Sequence, residues 1–138
     1  MEVTMQFNIT TDYAIRTVLY LSIKGEIATA KEIAAAMGIP SYYQLKVTAK
    51  LVKSGIVRRI QGVKGGFILN RDITEITLYD IINAIEPTMR INRCLEDDQY
   101  CSRFATANCP VRSFYVSMQG KVETLLRTMT VASLLGEQ

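Results

Sequence analysis

Three glycines and a proline punctuate the early part of the chain, and their placement limits what it is able to build. A helical pattern opens after Thr10 or Thr11, either of which would cap it. It carries apolar residues at Ile15, Val18, Leu19 and Ser22/Ile23 until Gly25. A second pattern begins at Thr29, where Glu32 three residues on completes a capping-box sequence, and it stops at Gly38. Pro40 cannot continue that helix, and Ser41 is placed to cap a third. The expected buried stripe of this third helix is Leu45, Thr48/Ala49, Leu51 and Val52, and Gly55 ends it. Two β-prone runs follow, Ile56–Ile60 and Gly66–Leu69, with Gln61–Gly65 between them as a hairpin turn. The order predicts a mostly α fold: a winged helix-turn-helix with a two-stranded wing. A generic helical domain carrying an incidental hairpin is the competing reading.

Charge falls on the same elements. Between Glu32 and Asp72 there is no acidic residue, while Lys46, Lys50, Lys53, Arg58, Arg59, Lys64 and Arg71 all lie there. Residues 1–75 hold ten Lys/Arg against six Asp/Glu; residues 76–138 hold six against seven. A one-sign surface of this kind suits phosphate, because each cation placed near DNA releases condensed counterions. A solvated basic face without a partner is the alternative. The coincidence of the charge with the third helix and the hairpin favours DNA. On that reading Tyr42, Tyr43, Gln44 and Lys46 face major-groove base edges, and Lys50, Lys53, Arg58, Arg59 and Lys64 hold phosphates.

Beyond the hairpin, Thr77–Asp80 reads as the cap of a helix over Leu78–Ile85, which Pro87 ends. Pro110 suits the first position of a final helix. Val111, Phe114, Tyr115, Met118, Val122, Leu125, Leu126 and Met129 then follow helical spacing over about five turns. So long an apolar helix on so small a domain predicts packing against a second copy, a homodimer; packing within one subunit is the alternative. The chain therefore divides into a DNA-binding unit (1–87), a cysteine-containing sensor loop (88–109) and a dimerisation helix (110–138). With 49% hydrophobic and 21% charged residues the composition is that of a folded globular protein. Its longest apolar run, Ile33–Met37, falls far short of the roughly 18 residues that cross a bilayer. The first residues lack the basic and apolar regions of a signal peptide, so a cytoplasmic location and no membrane partner are expected.

Cys94, Cys101 and Cys109 are the only cysteines, and histidine is absent. An odd number of cysteines without a secretion signal argues against a disulfide framework and for metal ligation or redox chemistry. Without histidine there is no His-dependent triad. Nor is there a phosphate-binding glycine loop or a Cys-x-x-Cys pair, so a small oxidoreductase is disfavoured and no catalytic residue is assigned.

Several segments in order then resemble the IscR/NsrR family. These are Thr11–Arg16, Lys31–Ala34, Leu51–Val57, Gly62–Leu69, Glu75–Ile82 and Cys109–Arg112. The likeness runs from about residue 6 to 135, and the Thr11-Asp12-Tyr13 context matches the NsrR-like branch. It implies a homodimeric bacterial regulator, a repressor in this reading, that binds a palindromic operator with half-sites about 34 Å apart. It also implies an iron–sulfur cluster, 2Fe–2S or 4Fe–4S, held by Cys94, Cys101 and Cys109 with Asp12 of the partner subunit as fourth ligand. Asp12 serving only the positive end of the first helix is the rival assignment. A cluster-free thiol switch and a structural zinc site are the rival uses of the cysteines. Two departures bear on specificity. Gln61-Gly62 stands where the family's wing has Arg-Gly, and Leu45-Lys46 replaces the Glu-Gln pair of IscR-like readers.

Overall fold

A computed structural model describes residues 6–136. Six helices and one hairpin follow in the order α1 (Ile9–Lys24), α2 (Ala30–Met37), α3 (Ser41–Lys53), β1 (Val57–Ile60), β2 (Gly66–Leu69), α4 (Leu78–Ile85), α5 (Pro110–Thr128) and α6 (Val131–Leu134). Short 3-10 turns at Arg93–Leu95 and Thr106–Asn108 lie in the segment between α4 and α5. The winged helix-turn-helix is the architecture expected, with differences of phase that matter for the site.

The first helix starts earlier than Thr10. Asn8 caps it, its side chain accepting the Thr10 N–H at 3.0 Å, and Asn is among the strongest caps. The buried face is Thr11, Ala14, Thr17, Val18 and Leu21, whereas Ile23 is 72% exposed. Two threonines are tolerated inside because each hydroxyl is hydrogen-bonded. Thr29 caps α2 as expected, but the capping box is half made. The Glu32 carboxylate turns away to Tyr20 and Lys24. The box at Thr77 is complete, with Asp80 bonding back to the Thr77 N–H.

On α3 the expected stripe is rotated. Ser41 lies inside the helix with Pro40 at the cap, and Gln44, Val47, Thr48 and Leu51 are buried. Val47 and Leu51, one turn apart, enter the core fully and fix the helix phase. Leu45 is thereby turned out, 63% exposed.

The wing pairs antiparallel, Val57 opposite Leu69 and Ile60 opposite Gly66. Ala28 bridges Phe67 from the far side, exchanging hydrogen bonds of 3.0 and 2.8 Å, so the inner edge of β2 is covered. Glycine is required at the turn. A Cβ on Gly65 would stand 2.2 Å from the Ile60 carbonyl oxygen, and one on Gly66 would stand 2.6 Å from that of Ala28.

The C-terminal helical pattern breaks at Met129. Thr130 caps α6 by accepting the Ser133 N–H at 3.0 Å and pairs with Thr77 as a β-bridge. Val131, 0% exposed, then enters the same core as Leu21, Leu51, Ile76 and Ile81. Among the described residues α6 is thus part of the winged-helix core, not an extension of α5.

Candidate nucleic-acid interface and cysteine loop

The outward face of α3 is Tyr42, Leu45, Lys46, Ala49, Lys50 and Lys53, all exposed at helical spacing. Tyr42, 69% exposed, carries the Lys46 ammonium over its ring, with Nζ 5.3 Å from the centroid. Tyr43 is half-buried, its ring edge-on to Tyr13 of α1 with 5.6 Å between centroids. Tyr42 and Lys46 thus face outward, and Tyr43 does so in part. Gln44 does not. It is 1% exposed and donates from Nε2 to the Thr17 hydroxyl at 3.0 Å, so it is a core tie and cannot reach a base edge. Its neighbour Leu45 takes the outward place, with Ala49 one turn on, and apolar side chains there suit a thymine methyl group. The Val47/Leu51 spacing is compatible with this phase, but Leu45 and Val52 offer a competing stripe, and the packing of Val47 and Leu51 in the core decides between them.

Lys46 and Lys50 also line a hollow against the start of α1, beside Asn8 and Thr10. In the wing Arg58, Arg59 and Lys64 are exposed, and Val63 at the tip is fully so. The Arg59 guanidinium lies 5.1 Å from the Phe67 ring centroid, which orients it along the hairpin. Among the described residues none of Lys46, Lys50, Lys53, Arg58, Arg59 and Lys64 is in an ion pair. Their field is therefore uncompensated on this face. Arg71 is different: it pairs with Asp80 at 3.4 Å and donates to the Glu75 carbonyl at 2.7 Å, which removes it from the patch.

The three cysteines, separated along the chain, come to line one cavity of about 280 Å³, together with Asn92, Arg112 and Tyr115. Cys94 is buried in the first 3-10 turn, and its sulfur accepts from Asn92 Nδ2 at 3.2 Å. Cys109 caps α5, its sulfur accepting the Arg112 N–H at 3.4 Å. Cys101 sits between two residues with left-handed backbone, Gln99 (φ 47°) and Phe104 (φ 55°). Backbone N–H groups of Ala105 and Arg103 reach its sulfur and hold its thiol below the ordinary value, because they stabilise the anion. Arg93 and Asp98 close the outer part of the loop with a bidentate ion pair. Arg112 Nε ties α5 to the Cys94 carbonyl at 3.2 Å.

Among the described residues no three His, Cys, Asp or Glu side chains converge tightly enough for a single ion. An iron–sulfur cluster makes a looser demand. Its protein ligands are divided among two or four irons, so the thiolates must line one cavity without all meeting at one point. Three soft sulfur donors around one space fit that demand. Asp12 lies elsewhere in the same chain. Its exposed carboxylate pairs with Arg16 at 2.8 Å and borders a hollow with Phe7, Ile15 and Glu86.

The sequence profile of Rrf2, described as an iron-dependent transcriptional regulator, matches residues 7–137. An HTH-type transcriptional regulator of Aquifex aeolicus is 29% identical over 132 residues, which is 95% of this chain and 92% of the relative. The regulator NsrR of Shouchella clausii is 30% identical over 92 residues, covering 65% of this chain and 62% of the relative. Two solved structures share the fold. T. potens IscR superposes with a TM-score of 0.76 at 22% identity, covering 96% of this chain and 87% of that one. CymR, the global cysteine regulator of B. subtilis, superposes at 0.77 and 22%, covering 94% and 95%. With a profile match across nearly its whole length and a winged-helix architecture to go with it, the chain belongs to the Rrf2 family of transcriptional regulators.

Proposed function

We propose that this protein is a homodimeric repressor whose grip on a palindromic operator is set by an iron–sulfur cluster held at Cys94, Cys101 and Cys109. The observation that carries the proposal is the shared cavity of the three cysteines at the start of α5. On the DNA side, α3 enters the major groove with Tyr42, Leu45 and Lys46 toward base edges. Lys50, Lys53, Arg58, Arg59 and Lys64 neutralise flanking phosphates, while Tyr43 braces the reader against α1. Among the described residues no helix is long and apolar enough to cross a membrane, and the protein is proposed to act on DNA in the cytoplasm.

A bound cluster supplies the loop with a group sensitive to oxidants, nitric oxide and iron supply. The protein's own residues do the rest. Asn92 and the Arg112 N–H donate to two of the sulfurs, and Arg112 fastens the loop to α5. Asp12 of the partner subunit is proposed as fourth ligand, for which it would have to leave Arg16.

A second reading rests on Cys101, whose depressed pKa and partial exposure suit a thiol that reacts directly with oxidants. Anaerobic purification separates the two. A brown protein with iron and sulfide in comparable amounts, and an operator affinity that changes when they are removed, supports the cluster. A colourless protein whose affinity changes with peroxide supports the thiol switch. Equal affinity and equal salt dependence in every state would overturn both.

A further inference from the structure

The first helix packs against both the reading helix α3 and α4, the helix from which the cysteine loop departs. Two polar links are built into it. Near its start, Thr11 Oγ1 donates to Glu86 Oε1 at 2.6 Å, and the same oxygen accepts the Asn8 N–H at 3.2 Å. At its middle, Thr17 Oγ1 accepts from Gln44 Nε2 at 3.0 Å and donates to the Tyr13 carbonyl at 2.8 Å. Thr11 and Thr17 are 0% exposed and Gln44 is 1% exposed.

Apolar packing lets a helix slide or turn by small amounts at little cost. Buried hydrogen bonds do not, because they are directional and costly to leave unpaired. The two links therefore register α1 against α4 at one point and against α3 at another. Glu86 is the C-cap of α4, and Pro87, which opens the loop, has its φ fixed by the ring. A shift in the start of the loop is thus passed to the Glu86 backbone and alters the angle at which its carboxylate meets Thr11. At the far link the Gln44 amide still has a free acceptor. Its Oε1 takes no donor from the described residues, so the bond from Nε2 to Thr17 is the side-chain tie that the amide makes among them.

We infer that Glu86 is a positioning residue that carries the state of the cysteine loop to the reading helix within one subunit, through Thr11 and Thr17 of α1 to Gln44. This rests on the proposed control of DNA binding by the loop. It adds an internal route to the one between subunits that Asp12 would provide.

The test measures operator affinity of the full-length protein in two states, as purified anaerobically and after air and peroxide, for wild type, T11V, T11S and Q44M. Both clusters and free thiols respond to that treatment, and every cysteine of the chain lies in the loop. The wild-type ratio of affinities between the two states is expected to be at least about fivefold. In T11V, which keeps the shape but lacks the hydroxyl, the ratio falls toward one, and in Q44M it does the same. T11S, which restores the donor, keeps the wild-type ratio. If T11V and Q44M weaken binding equally in both states and leave the ratio intact, the residues are merely structural and the inference fails. A wild-type ratio of one instead overturns the loop control on which it rests. Should Q44M not fold, the T11V and T11S pair decides alone.

Discussion

Cys94 and Cys101 line the same cavity but present their sulfurs under different conditions. Cys94 is buried and takes a side-chain amide donor; Cys101 is half-exposed, and backbone N–H groups favour its anion. Only the thiolate reacts with an alkylating agent, so Cys101 is expected to be modified first in the metal-free, reduced protein. Its reactivity should rise at a lower pH than that of an ordinary thiol. Timed iodoacetamide labelling with peptide mass spectrometry checks both points, and labelling of Cys94 ahead of Cys101 would refute them. Glu32 is a second residue with a directional prediction. The Lys24 ammonium and the Tyr20 hydroxyl hold its carboxyl below the usual range. A carboxyl depressed by folding stabilises the protein above the unfolded-state pKa, about 4.3 for glutamate, and the contribution is lost as pH falls through the lower folded value. The melting temperature of E32Q should therefore lie below that of wild type at neutral pH. The gap should narrow in acid; a gap constant with pH would contradict this assignment.

At the level of elements, the breakers and the Thr29 and Thr77 caps were the most legible part of the sequence, whereas the caps of α1 and α3 fall at Asn8 and Pro40, not at Thr10 or Thr11 and Ser41. The wing at Ile56–Leu69, the Thr77 cap and the Pro110 start all stand where residue type alone places them, because each depends on local backbone chemistry. Helix phase was less legible. Leu45 and Gln44 are adjacent, and which of them turns inward is settled by where Val47 and Leu51 meet α1 and the wing, a tertiary matter. Hydrophobicity argues for burying Leu45, but a buried glutamine with a threonine partner wins once the phase is fixed. The cavity was legible only as three cysteines in one segment; that they share one space depends on the fold of residues 93–109. Two predictions belong here. T77A removes the hydroxyl side of the capping box and should cost about 1 kcal/mol, a loss of a few degrees in thermal unfolding. K50A and K64A, on the reader and the wing, should each lower the slope of log affinity against log salt by about 0.9 if each cation neutralises one phosphate. Operator preference should be unchanged in both, whereas Y42A should alter it. Competition binding at several salt concentrations distinguishes these outcomes.

For the whole molecule the open question is what covers α5. Nineteen residues long, it has a single fully buried side chain among those described, Gln119, which clasps the Met89 carbonyl and the Ile91 N–H. Its other contacts within the subunit come from side chains that are at most half-buried, among them Arg112 on the Cys94 carbonyl, Glu123 paired with Arg90 at 3.5 Å, Tyr115 and Leu126. Along one side run Val111, Phe114, Met118, Val122 and Leu125, spaced three or four residues apart, with Phe114 63% and Leu125 64% exposed. A strip of this kind is unfavourable in water at roughly 25 cal/mol per Å². Its spacing suits the seam of a helix pair, so a second copy is the occupant that the dimer proposal requires. Replacing Phe114 and Leu125 together with glutamate should leave the winged-helix core intact, since neither belongs to the cluster around Leu21 and Val131. Sedimentation equilibrium should then show a monomer where the wild type is a dimer. Because the two reading helices would no longer be linked, affinity for a palindrome should fall by two to four orders of magnitude. Affinity for an isolated half-site should change far less. A variant that stays dimeric, or a monomer that holds the full palindrome as tightly as wild type, would place the subunit interface somewhere other than α5.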